Sequence, residues 1–184
     1  AMLAKAAAHA GEGLRFEAGD IATWAPGERF DLVFSNAALH WVEDHESLLT
    51  KLASFLGPHG QLAVQMPSNE DHPSHAVARE VAESLGHAPR ISSVLPVERY
   101  ATLLHRLGFA RQHVRLQVYP HLLGAREDVV EWVKGTTLTW YESRMPKDLY
   151  AEFLEAYRER MMTVLPDDRP FFFGFKRILL WGER

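Results

Sequence analysis

Two histidines, His72 and His75, stand beside Asp71 with a spacing that can hold a metal ion. They flank Pro73 and have no third ligand in view, so the segment is expected to be a solvated loop and not a metal centre. Gly11 and Gly13 invite comparison with the dinucleotide fingerprint, whose glycines let the backbone approach a pyrophosphate. That pattern needs a third glycine where Phe16 stands, and a preceding strand where this sequence is helix-forming. There is no phosphate loop, zinc-protease motif or nucleophile elbow. With no cysteine, disulfides, thiolate zinc sites, iron–sulfur clusters and a cysteine nucleophile are excluded.

The elements that must position any remaining chemistry belong to a chain of 184 residues, enough for one domain. Its 20 Lys and Arg against 24 Asp and Glu leave a net charge of −4, which gives no basic footprint for nucleic acid. An apolar fraction of 47% is that of a globular domain. No apolar run approaches the roughly 20 residues of a membrane span, and Met2-Leu3-Ala4-Lys5 does not open a secretory leader. The expectation is a cytoplasmic protein without nucleic-acid or membrane partners. Ala1 before Met2 reads as a tag remnant, and the uncapped Ala-rich helix from Met2 to Ala10 implies that further sequence precedes it.

Periodicity supplies the rest. Leu14 to Ala18 alternates as a short strand, and Asp31 to Asn36 is a compact apolar strand of the buried kind. Asp44 can cap a helix with Leu48, Leu49, Leu52, Phe55 and Leu56 on one face. Gly57-Pro58-His59-Gly60 stops it before a strand from Gln61 to Met66, which makes a right-handed parallel βαβ unit. Helices are expected over Ser74–Gly86, from Pro96 to Gly108, over Glu127–Lys134 and over Pro146–Leu165. Strands are expected over Gln112–Leu122 and Phe171–Arg184. The class is α/β, a single domain over 1–184 with helical cap segments at 74–108 and 125–165.

Three blocks then stand in order: Ala18-Gly19-Asp20-Ile21, Phe30-Asp31-Leu32-Val33-Phe34-Ser35-Asn36-Ala37-Ala38-Leu39-His40-Trp41-Val42, and Leu56-Gly57-Pro58-His59-Gly60-Gln61-Leu62. Together they resemble the second half of the class I S-adenosylmethionine-dependent methyltransferase domain, a Rossmann-like sheet. Trp132 to Thr136, Tyr150 to Tyr157 and Pro170 to Leu179 are similar to the trans-aconitate 2-methyltransferase branch of that family. The resemblance implies that S-adenosyl-L-methionine is the cofactor. Met2 begins the helix that follows the ribose-binding residue, Asp20 accepts from the adenine amino group, and the Ile21 backbone reads the adjacent ring nitrogen. Ser35, Asn36 and Ala37 then place carbonyls at the sheet edge, where open α/β folds bind ligands.

On the acceptor side the resemblance implies a small polyacid such as trans-aconitate, methylated on a carboxylate that is already ionised and needs no base. His40 and Trp41 are the candidate catalytic residues, and Trp140, Tyr141 and Arg144 the candidate substrate residues, with Arg144 able to grip a carboxylate as a fork. If the acceptor were a hydroxyl or amine, His40 would be the base. A malonyl-thioester methyltransferase, or a non-catalytic remnant that oligomerises, stays open as an alternative.

In this family the sheet order is three, two, one, four, five, seven, six, with strand seven antiparallel. By that comparison roughly 70 residues, including the glycine-rich loop, precede this sequence, and the chain by itself is expected to have weak or no activity. Strand Asp31–Asn36 is then expected at an edge, where Leu14–Ala18 moves to cover it or a second copy pairs with it as a homodimer.

Overall fold

The computed structural model describes residues 2–184; Ala1, and with it the tag-remnant expectation, lies outside the described residues, as does the Met2 side chain. Helix α1 (Met2–Ala6) runs into a 3-10 turn, and after an irregular stretch the chain enters β1 (Phe30–Asn36). Helix α2 (His45–Ser54) leads to β2 (Leu56–Pro67), which pairs parallel with β1 and closes the expected βαβ unit. Helices α3 (Pro73–Ser84) and α4 (Val97–Arg106) precede β3 (Arg111–Leu123). Three helices, α5 (Glu127–Lys134), α6 (Leu138–Glu142) and α7 (Lys147–Val164), lead to the final strand β4 (Phe171–Glu183).

The sheet order is β1-β2-β4-β3, and β4 is antiparallel to both neighbours. It reproduces the four-five-seven-six portion of the expected order. Asp44 caps α2 from a left-handed conformation, its carboxylate accepting from the Ser47 N–H at 3.1 Å. Leu48, Leu49 and Leu52 are buried as expected.

The core has two halves. Phe171, Phe173 and Phe175 of β4 pack among α3, α5, α6 and α7, while Ile178 and Leu180 pack among α2, α4 and β2. Side chains alternate across a strand, so odd and even positions lie on opposite faces. The buried face of β4 therefore changes between Phe175 and Ile178. Asn69, in the loop after β2, holds this point: its side-chain amide donates to the Lys176 carbonyl at 3.0 Å and accepts from the Lys176 N–H at 2.7 Å. Of the expected cap segment 74–108, α4 joins the α2 side of the sheet and only α3 joins the cap.

Two local expectations are corrected. Leu14–Ala18 forms no strand; after an isolated bridge between Gly11 and Leu14 the backbone is irregular to Gly27. A strand needs a neighbour for its backbone groups, and among the described residues this segment has none. It lies near β1 instead, with Trp24 stacked on Phe30 at 6.2 Å and Lys51 donating to the Ala22 carbonyl at 2.8 Å. It therefore does not cover β1, which pairs only with β2 among the described residues. The second correction concerns Gly57-Pro58-His59-Gly60, expected as a turn but lying inside β2. Its register with β1 slips between Phe30 and Leu32. A Cβ on Gly60 would come within 2.9 Å of the Phe30 carbonyl, so the crowded stretch admits only glycine there.

Among the described residues no helix is long and apolar enough to cross a membrane. The alternation in β4 sets a contrast between neighbours: Phe173 is 1% exposed and Phe172 58%. Phe173→Ala is expected to destabilise the chain by about 3–5 kcal/mol and Phe172→Ala by less than about 1 kcal/mol, measured by urea unfolding.

Candidate functional site

Strand β1 ends at Asn36, and Ala37 follows with a positive φ of 51°. Its N–H donates to the Gln65 carbonyl at 2.8 Å, which keeps this unfavourable backbone in place. The reversal separates two concavities.

The first is an open cleft of about 540 Å³ between β1 and the irregular segment, lined by Asp20, Ile21, Ser35 and Asn36 over apolar Val33 and Leu39. Asp20 is fixed as a turn residue, its carboxylate accepting from the Ala22 N–H at 2.7 Å and its carbonyl accepting from Thr23 and Trp24. The turn uses the N–H groups of Ala22, Thr23 and Trp24 but not that of Ile21. A carboxylate beside an unengaged backbone N–H over an apolar floor fits a purine ring, which offers an amino donor next to a ring-nitrogen acceptor.

The second concavity is a cavity of about 270 Å³ where the sheet end meets the helical cap. Ala37, His40 and Trp41 enter it from the β1 side, and Glu70, Arg90 and Arg177 from the rest of the fold. The 3-10 turn Leu39–Trp41 is held from below by His45. One His45 nitrogen, Nε2, lies 3.1 Å from the Leu39 carbonyl and the other, Nδ1, 2.5 Å from the Tyr100 hydroxyl. That hydroxyl accepts from the Leu95 N–H at 3.0 Å, so α2, α4 and the loop before α4 are tied to the turn.

Arg90, with 10% of its side chain exposed, donates to Glu70 at 3.2 Å and to the His40 carbonyl at 3.5 Å, and lies over the Trp41 ring at 5.3 Å. Glu70 is shared with Arg79, also at 3.2 Å. Arg177 lies over Phe175 at 4.9 Å and Tyr119 at 5.8 Å. Positive charge therefore exceeds negative charge around the cavity. Burial, then Arg90, His45 and Arg177, push the His40 pKa down to about 4 against a weak opposing pull from Glu70. The buried His40 Nδ1 has no partner within the described chain. Burial likewise brings His75 down to about 4. Both rings are neutral at pH 7.

The expected site residues divide. Asp20, Ile21, Ser35 and Asn36 meet at the cleft, and Ala37, His40 and Trp41 at the cavity. Met2 opens α1, and its side chain lies outside the described residues. Trp140, Tyr141 and Arg144, expected on the acceptor side, do not line the cavity. The Arg144 guanidinium stacks on Trp140 at 4.4 Å and bonds Ser143, while Tyr141 is core, its hydroxyl accepting from the Arg90 N–H at 3.1 Å. His72 and His75 do not sit in a solvated loop. His72 caps α3 by accepting from the Ser74 N–H, and buried His75 meets Thr137 at 2.9 Å. The charged residues that line the cavity, Glu70, Arg90 and Arg177, were not singled out from the sequence. The available signal was Lys176-Arg177, a charged pair that interrupts an otherwise aromatic and aliphatic strand.

The parallel β1–β2 pair, the antiparallel β4 and the cleft at the strand end define the Rossmann-like fold of class I methyltransferases. A solved structure, the YcgJ protein from Bacillus subtilis, shares the fold with a TM-score of 0.57 at 16% identity, covering 98% of this chain and 75% of that one. The methyltransferase domain family matches residues 6–114, and the chain belongs to it. It is similar to the trans-aconitate 2-methyltransferase of Deinococcus radiodurans, at 42% identity over 100% of this chain and 74% of that protein. The enzyme of the same name from Variovorax paradoxus is 42% identical over 83% of this chain and 61% of its own length. That from Rhizobium meliloti is 39% identical over 83% and 62%. The chain thus spans between 61% and 74% of the length of these relatives.

The lowered histidines make stability depend on pH. Between pH 6.5 and about 4 the unfolded chain binds protons that folded His40 and His75 do not, so stability falls as pH falls through that window. Melting temperatures measured at intervals from pH 7 to pH 4 should decline, and His40→Asn should decline less steeply.

Proposed function

We propose that the chain carries the adenine-binding and acceptor-binding parts of an S-adenosylmethionine-dependent O-methyltransferase that acts on a carboxylate of a small polyacid such as trans-aconitate. The observation that carries this reading is the guanidinium surplus around the cavity, set directly across Ala37 from the cleft. The similarity to trans-aconitate 2-methyltransferases supports the same acceptor class.

When bound, S-adenosylmethionine supplies an electrophilic methyl group on a sulfonium. The Asp20 carboxylate would accept from the adenine amino group, and the Ile21 N–H would donate to the ring nitrogen. Met2 belongs to the ribose side by the family resemblance. Ser35, Asn36 and Ala37 offer carbonyl acceptors at the reacting end, where positive charge collects. Across the reversal, Arg90 and Arg177 attract the acid, and Trp41 helps to keep water from the reacting oxygen. His40 orients the acid and takes no proton: a group with a pKa near 4 is a weak base, which suits an acceptor already ionised at pH 7.

Calorimetric titration with S-adenosylhomocysteine tests the cleft. Binding is expected, and Asp20→Ala should weaken it about tenfold or more, the worth of a hydrogen bond to a charged group. An undiminished affinity in Asp20→Ala would remove the adenine assignment.

The outer edge of β1 also supports the homodimer reading. No strand pairs with it among the described residues, and Leu32 and Phe34 are exposed beside it. A second copy pairing along this edge would double the mass by light scattering, and a single-chain mass at high concentration would rule that pairing out.

A further inference from the structure

Arg177 stands at the point where β4 changes its buried face, between Phe175 and Ile178. Its neighbour Lys176 turns outward to pair with Asp71, while Arg177 lines the cavity. Its guanidinium lies over the Phe175 ring at 4.9 Å and the Tyr119 ring at 5.8 Å, and its N–H fork makes no hydrogen bond or ion pair to any described residue. Arg90 differs, because part of its fork is taken up by Glu70 and the His40 carbonyl. The same two guanidiniums are both close enough to His40 to oppose its protonation, so His40 faces positive charge from β4 and from the loop before α4.

A guanidinium confined between aromatic rings with an uncommitted fork suits a planar, bidentate partner, and a carboxylate has that geometry. The cavity, at about 270 Å³, has room for a small acid and little beyond it. An acid with a single carboxylate satisfies one end of such a cavity and leaves a cation at the other without a counter-ion, which costs binding.

We propose that Arg177 is the specificity-determining residue of the acceptor site: it holds the non-reacting carboxylate of a di- or tricarboxylic acid, while the reacting carboxylate lies toward Ala37 and His40. The inference rests on the carboxylate-methylating reading and deepens it, because selection for a second carboxylate is assigned to one side chain on β4.

The test is a calorimetric titration of the chain, saturated with S-adenosylhomocysteine, with trans-aconitate and with the monocarboxylate crotonate. The wild-type chain should bind trans-aconitate at least about tenfold more tightly than crotonate. Arg177→Met should erase most of that preference by weakening trans-aconitate binding far more than crotonate binding, with S-adenosylhomocysteine still bound. Arg177→Lys keeps the charge without the fork, so it should retain part of the preference, and it decides the matter if Arg177→Met does not fold. A folded variant that binds trans-aconitate as the wild type does overturns the role of Arg177 and leaves the carboxylate reading standing. Binding of S-adenosylhomocysteine with neither acid bound overturns the carboxylate reading and the inference together.

The His40 ring gives a second readout by NMR. Trans-aconitate should raise its pKa from about 4 in the wild type by neutralising Arg177. Arg177→Met should raise it even without acid, because a cation has been removed. No change on either count would place Arg177 too far from the acid to select it.

Discussion

A thirteen-residue strand buries one face along its whole length or changes face partway, and β4 changes face at Lys176-Arg177. The change leaves backbone groups to be satisfied where neither core covers them, and Asn69 meets that need by bonding both the N–H and the carbonyl of Lys176. The cavity is arranged around this clamp. Before it the cap of α3, α5, α6 and α7 grips one face, and beyond it α2 and α4 grip the other. The cavity is the space left where the two coverings pass one another, which is why its lining comes from so many separate parts of the chain.

The electrostatics of that space follow from its burial. Two histidines that would be partly charged near neutrality in water are held neutral there, and the fixed positive charge falls to arginines, which cannot be deprotonated. One carboxylate, Glu70, serves two of them and holds the loop that carries Arg90 against the start of α3. A network with fewer anions than cations is costly when empty and favourable when an anion enters, so the charge imbalance is better understood as a binding device than as a source of stability. The buried tyrosines belong to the same construction. Tyr100 and Tyr141 each accept a backbone N–H from the loop between α3 and α4, and so place Arg90 and the residues around it.

Much of this could be read from the order of residues. The cap at Asp44, the leucines of α2, and the stripe of Phe153, Tyr157 and Met161 on α7 are local patterns, and local patterns survive folding because each is tied to one face of one element. The strand at Asp31–Asn36 forms as expected but is not buried, because at the edge of the sheet Leu32 and Phe34 are left exposed. The short helix Leu138–Glu142 was not legible, since five residues carry too little periodicity to show a face. Leu14–Ala18 failed for the opposite reason: its alternation is present, but a strand exists only beside another strand. The glycine–proline stretch at Gly57–Gly60 has turn chemistry, and the close approach of the Phe30 carbonyl turned it into strand.

The sequence by itself determined the α/β class, the family, and the block in which Asp20, Ile21, Ser35 and Asn36 form a cleft, because those residues lie close together in the chain and their spacing is preserved in the site. It did not determine the charged lining of the cavity. Trp140 and Arg144 have the right chemistry but satisfy one another, whereas Glu70, Arg90 and Arg177 are far apart in the chain and meet only once β4 has crossed the sheet. Charge interactions depend on distance in space and on the medium between the groups, neither of which is written in residue order.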